Sequence, residues 1–561
     1  MRLPRFVVLL LFFALPALRA APEAGRYLRA ADIEVTALIP PAPANDSLTT
    51  AADLATVLEV QKRRTPAEAA IAAYFVKDSV FQYAAVIGPW FTAANLPFAA
   101  EFFDQVYADR FAISSKGKQA WQRPRPPLLD VRIHPCIDLP ASGAYPSGHA
   151  TMAFVWADLL AEIFPDKRAA LRERAELVAW SRVIGGVHYP SDIAAGRMLG
   201  DRLAAEFLKV PAVREALDRI RTEAARASGM VFPRRVSEAV PHDSDDPAIW
   251  INPEDPARSL ILGTDKHAGD GGLYVFDLEG RILPEKTVRG LDRPNNVDLA
   301  TGFSLGGRRV DLAVVTERNA GRLRVFTVPD MQPVDGGGLP VFAGDPERLP
   351  MGIALYTRPR DGALFAIVSA RVGPREGYLW QYRLEDDGHG TVRAVKTRTF
   401  GRFSGKKEIE SVAVDAELGY VYYSDEQVGV RQYRADPDAP DAGEELALFA
   451  TEGFAGDHEG ISVFPTGPGT GYLVVSNQDG DTFEVFSREG TPGHPHEHRH
   501  VGSLKLATHA SDGHEVTARA LTPRYPGGLL VAMSDDRTFQ FYAWADLLEA
   551  LRQTTAVGAS P

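Results

Sequence analysis

Three short clusters in the first half of the 561-residue chain hold side chains suited to handling phosphate. They are Lys118 followed by Arg125-Pro126, then Pro146-Ser147-Gly148-His149, then Ser181-Arg182 running through His188 to Asp192. Phosphoryl transfer needs dense positive charge on the equatorial oxygens, a nucleophile in line with the leaving group, and an acid for the departing oxygen. Lys118, Arg125 and Arg182 carry that charge, and the two arginines can bind oxygens in pairs. Ser147 and the Gly148 amide precede a helix expected to begin near Ala150, where free N–H groups and the helix dipole favour an anion. One histidine can attack phosphorus while the other protonates the alkoxide. Asp192, four residues beyond His188, can fix that imidazole's tautomer. Lys116 with Arg123-Pro124 satisfies the first spacing equally well.

The second half is rich in carboxylates. It opens with His242-Asp243-Ser244-Asp245-Asp246-Pro247-Ala248-Ile249-Trp250, and Glu410, Asp425-Glu426 and Asp457-His458-Glu459-Gly460 follow. Hard oxygen donors without matching cysteines suit Ca²⁺ better than zinc. Lys266, Arg318 and Arg375 stand among them. The formal net charge of -12 argues against nucleic acid or an anionic membrane as partner. A polyphosphorylated substrate would need a cationic offset to those acids, and bound metal would supply it.

Two kinds of element must position these residues. Residues from about 48 to 225 read as helical, with apolar positions at helical spacing in Thr151 to Phe164 and Lys167 to Trp180. From about 232 the chain turns to short β-rich runs broken by Gly, Asp and Pro, with the junction in Ala224 to Arg235. Six strand-like tetrads recur: Leu273-Phe276, Leu323-Phe326, Leu379-Tyr382, Val430-Tyr433, Phe483-Phe486 and Phe539-Tyr542, beginning 50, 56, 51, 53 and 56 residues apart. Each follows an apolar strand with a polar tip, namely Asp265-Lys266, Glu317-Arg318, Ala370-Arg371, Asp425-Glu426, Asn477-Gln478 and Asp535-Asp536. Six copies at this period fit a propeller, whose equivalent tips gather at one end of the ring. The expected fold is multidomain: an all-α helical bundle followed by an all-β six-bladed propeller.

The N-terminus reads as a signal peptide over 1–21, with Arg2 and Arg5 ahead of an apolar Phe6 to Leu15 and a small-residue cleavage site at Ala20 or Ala21. Secretion or a periplasmic location follows, with no stable membrane insertion after its removal, because no later run approaches about 18 apolar residues. Cys136 is the only cysteine, which excludes an intrachain disulfide. The expected domains are 22–228 (helical), 229–235 (linker), 236–548 (propeller) and 549–561 (a frayed tail).

The first-half clusters resemble the signature of the type-2 phosphatidic acid phosphatase (PAP2) superfamily, most closely the class A bacterial non-specific acid phosphatases, over about residues 38 to 210. The family's Arg-x-Arg-Pro is matched by Arg123-Pro124-Arg125-Pro126, which favours Lys118 and Arg125 over Lys116 and Arg123. The resemblance implies that His188 is the nucleophile, forming a phosphohistidine, that His149 is the general acid, and that Asp192 orients the nucleophile. No cofactor is expected there. Relatives using this cradle also act on lipids or hold vanadate, and the lack of spanning helices counts against the lipid version.

The second half looks like a β-propeller phytase from about 236 to 545, on Asp245-Asp246-Pro247-Ala248-Ile249-Trp250, Asn295-Asn296-Val297-Asp298, Glu317-Arg318, Asp457-x-Glu459-Gly460 and Gln478. The resemblance implies Ca²⁺ ions held or surrounded by Asp245, Asp246, Glu410, Glu426, Asp457, Glu459 and Gln478, with Lys266, Arg318 and Arg375 holding substrate phosphates. It further implies a metal-activated water and no covalent intermediate. Met351 stands where the family usually offers a tyrosine ligand, and Met533-Ser534-Asp535 departs from the usual Gln-Asp-Gly stretch. An insertion bearing His494, His496, His498 and His500 reads as a hydrated surface loop. The combined expectation is a phosphomonoester hydrolase. In it the propeller cleaves phytate (myo-inositol hexakisphosphate), and the helical domain dephosphorylates lower inositol phosphates or other monoesters. The alternative is an acid phosphatase of general monoesters or nucleotides, with the propeller as a non-catalytic binding module.

Overall fold

The computed structural model describes residues 24–558, so the expected signal peptide lies outside the described residues. Two compact units emerge. Among the described residues, one holds 24–85 with Thr92–Leu159 and Ala169–Ala216; the other holds Val86–Phe91, Leu160–Arg168 and 217–558.

The first unit is built on helices α1 (Leu48–Arg63), α2 (Pro97–Trp121), α3 (Gly148–Ile163), α4 (Arg168–Ile184) and α5 (Pro190–Lys209). Pro97 opens α2, where its missing N–H costs nothing. Gln122 closes it with φ of 45°, a left-handed turn that releases Arg123 to Arg125 toward the centre. Helix α3 is apolar nearly all round, from Met152 through Ala157, which buries it as the central rod. Two glycines bring α5 against it. A Cβ on Gly196 would meet Ser147 O at 2.7 Å, and one on Gly200 would meet Phe154 Cβ and Thr151 O, both at 2.8 Å. With hydrogens in their place the two first turns lock together, and Ser147 N donates to Asp192 O at 3.1 Å.

The second unit is a ring of six four-stranded antiparallel sheets. Their innermost strands are Ser244–Trp250, Pro294–Leu305, Pro350–Thr357, Val412–Asp415, His458–Gly467 and His514–Thr517, which open blades I to VI in chain order. Each packs on the next, and the last on the first, so the ring closes. The six tetrads all fall in the third strand of their blade, as the repeat requires. Facing blades share apolar cores: Leu262, Leu273 and Val275 of blade I pack with Ala313, Val315 and Phe326 of blade II.

Both expected edges of this unit differ. The stretch expected as a linker is tied down: Val231 bridges to Leu506, Phe232 is buried, and Arg235–Val236 pairs with Phe541 and Gln540 as the outer strand of blade VI. The expected tail is helical through Gly558, because Leu547 and Leu551 give it an apolar face that packs with Phe464 and Tyr542. The histidine insertion folds onto the protein, with His498 buried against Phe449 and donating to Ser487 O at 2.9 Å, and His500 on Glu484 at 2.8 Å.

Candidate active sites

In the helical unit the three clusters converge. Lys118, in the last turn of α2, donates to Gly143 O at 2.7 Å, and Arg125 reaches the same carbonyl at 3.4 Å after the turn at Gln122. Arg125 Nη1 also donates to Val187 O at 2.8 Å and lies 3.1 Å from His188 Nε2. The other ring nitrogen, Nδ1, is 3.0 Å from Asp192 Oδ2. A guanidinium can only donate, so Nε2 must present its lone pair and Nδ1 must carry the hydrogen given to Asp192. His188 is thereby held in one tautomer by two partners. Burial, then the charges of Arg125, Lys118 and Arg182, hold its pKa well below the ordinary value, so it stays neutral.

Around Nε2 the charge is positive and desolvated. Burial, with Arg125 nearby, brings Lys118 down to about 7, and burial brings Arg125 and Arg182 to about 10. Arg182 is buried and its Nε and Nη1 have no protein hydrogen-bond partner. Side chains so placed await an anion. Ser147 is fully buried and caps α3 by accepting from Ala150 N at 3.4 Å. His149 lies at the same helix start, its Nε2 3.1 Å from Val76 O and 3.6 Å from Asp78 Oδ1. Burial lowers His149 to about 4 against the pull of Asp78.

The alternative register is accounted for differently. Lys116 donates to Ala30 O and Ile33 O at 2.9 and 2.7 Å, away from the cluster. Arg123 stands behind the site: it donates to Asp192 Oδ1 at 2.7 Å and Asp53 Oδ2 at 3.2 Å, with its guanidinium 3.9 Å from the Tyr189 ring centre. Burial still raises Asp192 to about 6 against Arg123's charge. Asp53 and Asp78 were not singled out from sequence, and Arg123 was read only as the alternative to Arg125. Arg123 was visible as the first arginine of Arg-x-Arg-Pro; Asp53 and Asp78 carry no local signal.

The propeller assembles its candidate site by symmetry. Two residues before the first regular pair of each inner strand stand Asp245, Asn295, Met351, Glu410, Glu459 and Asp512, at equivalent positions of blades I to VI. Hydroxyls of one blade hold the ring residue of the next: Thr264 donates to Asn295 O at 2.5 Å, Thr316 to Met351 O at 2.6 Å, and Ser424 to Glu459 O at 2.9 Å. Across the ring, Asn295 Nδ2 donates to Asp245 at 3.1 Å and Glu410 at 2.8 Å, and Lys266 joins Asp245 at 2.6 Å to Asp512 at 3.1 Å. Gln478 donates to Asp512. The strand tips form a second ring in which Lys266, Arg318 and Arg371 belong to blades I to III and Glu426 to blade IV. Cations thus hold the tips of blades I to III and a carboxylate that of blade IV.

Two sets of three carboxylates place ligand oxygens within 4.8 Å of one another: Glu408, Glu410 and Glu426, and Glu426, Asp457 and Glu459. Both oxygens of Glu426 and Oε2 of Glu459 are buried without a hydrogen-bond partner. Burial raises Glu426 to about 8 and Glu459 well above the carboxylate range, the neighbouring acids adding to the second. All-oxygen donors with unsatisfied lone pairs fit a hard divalent cation such as Ca²⁺.

Two expected site residues sit apart from this cluster. Asp246 accepts from Val297 N at 3.0 Å and faces a polar cavity of about 220 Å³ lined also by Asp298 and Glu515, because neighbouring residues of a strand point to opposite sides. Arg375 lies on the loop beyond the blade III tip and donates to Ser404 O, while Arg371 holds the tip itself, 3.9 Å from Glu408. Arg318 donates to the sulfur of Met351, with its Nε unpartnered. Glu408, Asp512 and Lys407 were missed. Asp512 was readable as the Asp-Gly ahead of the sixth inner strand, in step with Glu459-Gly460.

The family model described as Phytase matches residues 206–543, and that of the PAP2 superfamily matches 106–215. A 3-phytase of Bacillus subtilis is 27% identical over 330 residues, 55% of this chain and 81% of the relative. An acid phosphatase of Zymomonas mobilis is 30% identical over 25% of this chain and 58% of its own length. A non-specific acid phosphatase of Salmonella typhimurium is 32% identical over 20% of this chain and 46% of its own. The chain therefore spans about half the length of the acid phosphatases it matches.

Proposed function

Because the chain belongs to the phytase family and carries a PAP2-superfamily segment ahead of its propeller, it is a phosphoric monoester hydrolase, and we propose that two centres of unrelated chemistry do the work. The observation that carries the first is the neutral His188, its Nε2 lone pair facing Lys118, Arg125 and Arg182. A monoester's phosphate binds those cations, the Gly148 amide and Ser147. His188 Nε2 attacks phosphorus, the P–O ester bond breaks, and His149 gives its proton to the departing alkoxide. Water then attacks the phosphohistidine, His149 takes back a proton, and phosphate leaves. Asp192 stabilises the positive charge that His188 gains in the first step.

In the propeller, Glu408, Glu410, Glu426, Asp457 and Glu459, with Asp245, Gln478 and Asp512 around them, would hold Ca²⁺, and Asp246 serves the inner cavity. Bound calcium would polarise the phosphate and lower the pKa of a water. Lys266, Arg318 and Arg371, with Arg375 further out, would orient the other phosphates of a polyanion. A ring end that brings cations and metal-binding acids together suits phytate, which needs both. The lower inositol phosphates, or other monoesters, then fall to the helical unit. The signal-like residues 1–21 support action outside the cytoplasm.

Trapping tests the first centre: alkaline quench of a turnover should leave phosphate on His188, and its absence from a wild-type chain turning over monoester would refute the nucleophile. For the second, calcium-free chain should release no phosphate from phytate until calcium is restored. Undiminished release in chelator would refute the metal role.

A further inference from the structure

Among the carboxylates of the propeller's ring end, one cation stands in an unexpected place. Lys407 lies in the loop before the blade IV inner strand, with Nζ 3.0 Å from Glu426 Oε2 and 3.9 Å from Glu459 Oε1, and it pairs with Asp457 as well. These are the three acids of the second carboxylate set. The ammonium therefore sits where a divalent cation would.

It fits that position incompletely. Three carboxylates offer six oxygens, and one ammonium has three N–H bonds. Gln427 Nε2 takes Asp457 Oδ1 at 3.0 Å, yet both oxygens of Glu426 and Oε2 of Glu459 remain buried with no hydrogen-bond partner. Those two side chains are 0% and 5% exposed, whereas Lys407 is 36% exposed. The acids are fixed and the lysine, on its flexible four-carbon stem, is free to leave. The first set differs: Glu410 is held by Asn295, and Arg371 comes no nearer to Glu408 than 3.9 Å.

We infer that Lys407 is a tethered competitor for the Glu426–Asp457–Glu459 position, so that calcium fills it only when the ammonium swings out. The inference rests on the calcium reading of the propeller. It makes this position the weaker of the two, since a ligand that must displace a resident contact binds with the intrinsic affinity divided by the stability of that contact. The free chain keeps partial charge balance without metal, and calcium supply sets how far the centre is completed.

The test is calorimetric titration of calcium into the chelator-stripped full chain, comparing wild type, Lys407→Met and Lys407→Arg. Methionine keeps most of the stem and removes the charge. In Lys407→Met one calcium should bind about ten- to hundredfold more tightly, the range charge-assisted hydrogen bonds cover, while Lys407→Arg stays near wild type. The stripped Lys407→Met chain should also melt at lower temperature than wild type, and calcium should restore it. If that chain does not stay folded without metal, calcium release from the loaded protein into a fluorescent chelator replaces the titration, and should be slower than in wild type. Superimposable isotherms, or equal release rates, overturn the competition while leaving the calcium reading standing. Failure of every chain to bind calcium overturns that reading, and the competition with it.

Discussion

Replacing Asp192 with asparagine isolates what the charge behind His188 contributes. The carboxylate accepts three hydrogen bonds: from His188 Nδ1 at 3.0 Å and Tyr189 N at 3.0 Å on Oδ2, and from Arg123 at 2.7 Å on Oδ1. An amide has one acceptor oxygen. If that oxygen faces His188, the NH₂ meets the Arg123 guanidinium, donor against donor. If it faces Arg123, the NH₂ meets His188, whose Nδ1 must become an acceptor and whose Nε2 then takes the hydrogen. That removes the nucleophilic lone pair and sets N–H against the Arg125 donor at 3.1 Å. The second arrangement also faces the NH₂ with the Tyr189 N–H, so neither keeps every bond: the first removes the charge that stabilises protonated His188, and the second removes its lone pair. Loss of the correct tautomer in a comparable acid–histidine arrangement costs about 10⁴-fold in kcat, or about 5.5 kcal/mol of barrier. The assay is kcat and KM for p-nitrophenyl phosphate by Asp192→Asn. We expect the loss in kcat with KM within about threefold, because Lys118, Arg125 and Arg182 are untouched. A kcat within tenfold of wild type would refute the tautomer argument.

Other outcomes follow from the same geometry. With His149 lowered to about 4, its acid form fades as pH rises, so kcat/KM for an alkyl monoester, taken relative to p-nitrophenyl phosphate so that the titration of Asp192 at about 6 cancels, should climb from pH 7 down toward pH 4. The p-nitrophenyl leaving group needs no proton; parallel profiles would contradict His149 as the acid. Gly200→Ala should destabilise the helical unit by about 1–3 kcal/mol in chemical denaturation, since its Cβ would meet Phe154 and Thr151 at 2.8 Å; a neutral effect would mean the helices do not pack this closely. Arg371→Ala should raise KM for phytate by about tenfold and Arg375→Ala by no more than twofold, as only Arg371 holds a ring tip; the reverse order would relocate the phosphate contact.

Repeats and motifs that encode local geometry were legible from sequence. The six tetrads announced the propeller because each blade needs the same apolar third strand, and Lys118, Arg125, His149, Arg182, His188 and Asp192 announced the helical site through fixed spacing. What escaped depends on contacts between distant segments. Asp53 meets Arg123 from 70 residues away, and no local pattern marks it. Aligning the repeat on its third strand hid the register of the first, which is why Asp512 went unnoticed. Residues 549–558 read as a tail because so short an amphipathic helix forms only on the surface that buries Leu551.

The most direct measurement is a crossed assay on the full chain, with wild type and His188→Ala each given p-nitrophenyl phosphate and phytate, with calcium and with chelator. His188→Ala should lose the monoester activity and still take phosphate from phytate, and chelation should do the opposite. A single treatment that abolished hydrolysis of both substrates would mean one catalytic centre where this account requires two.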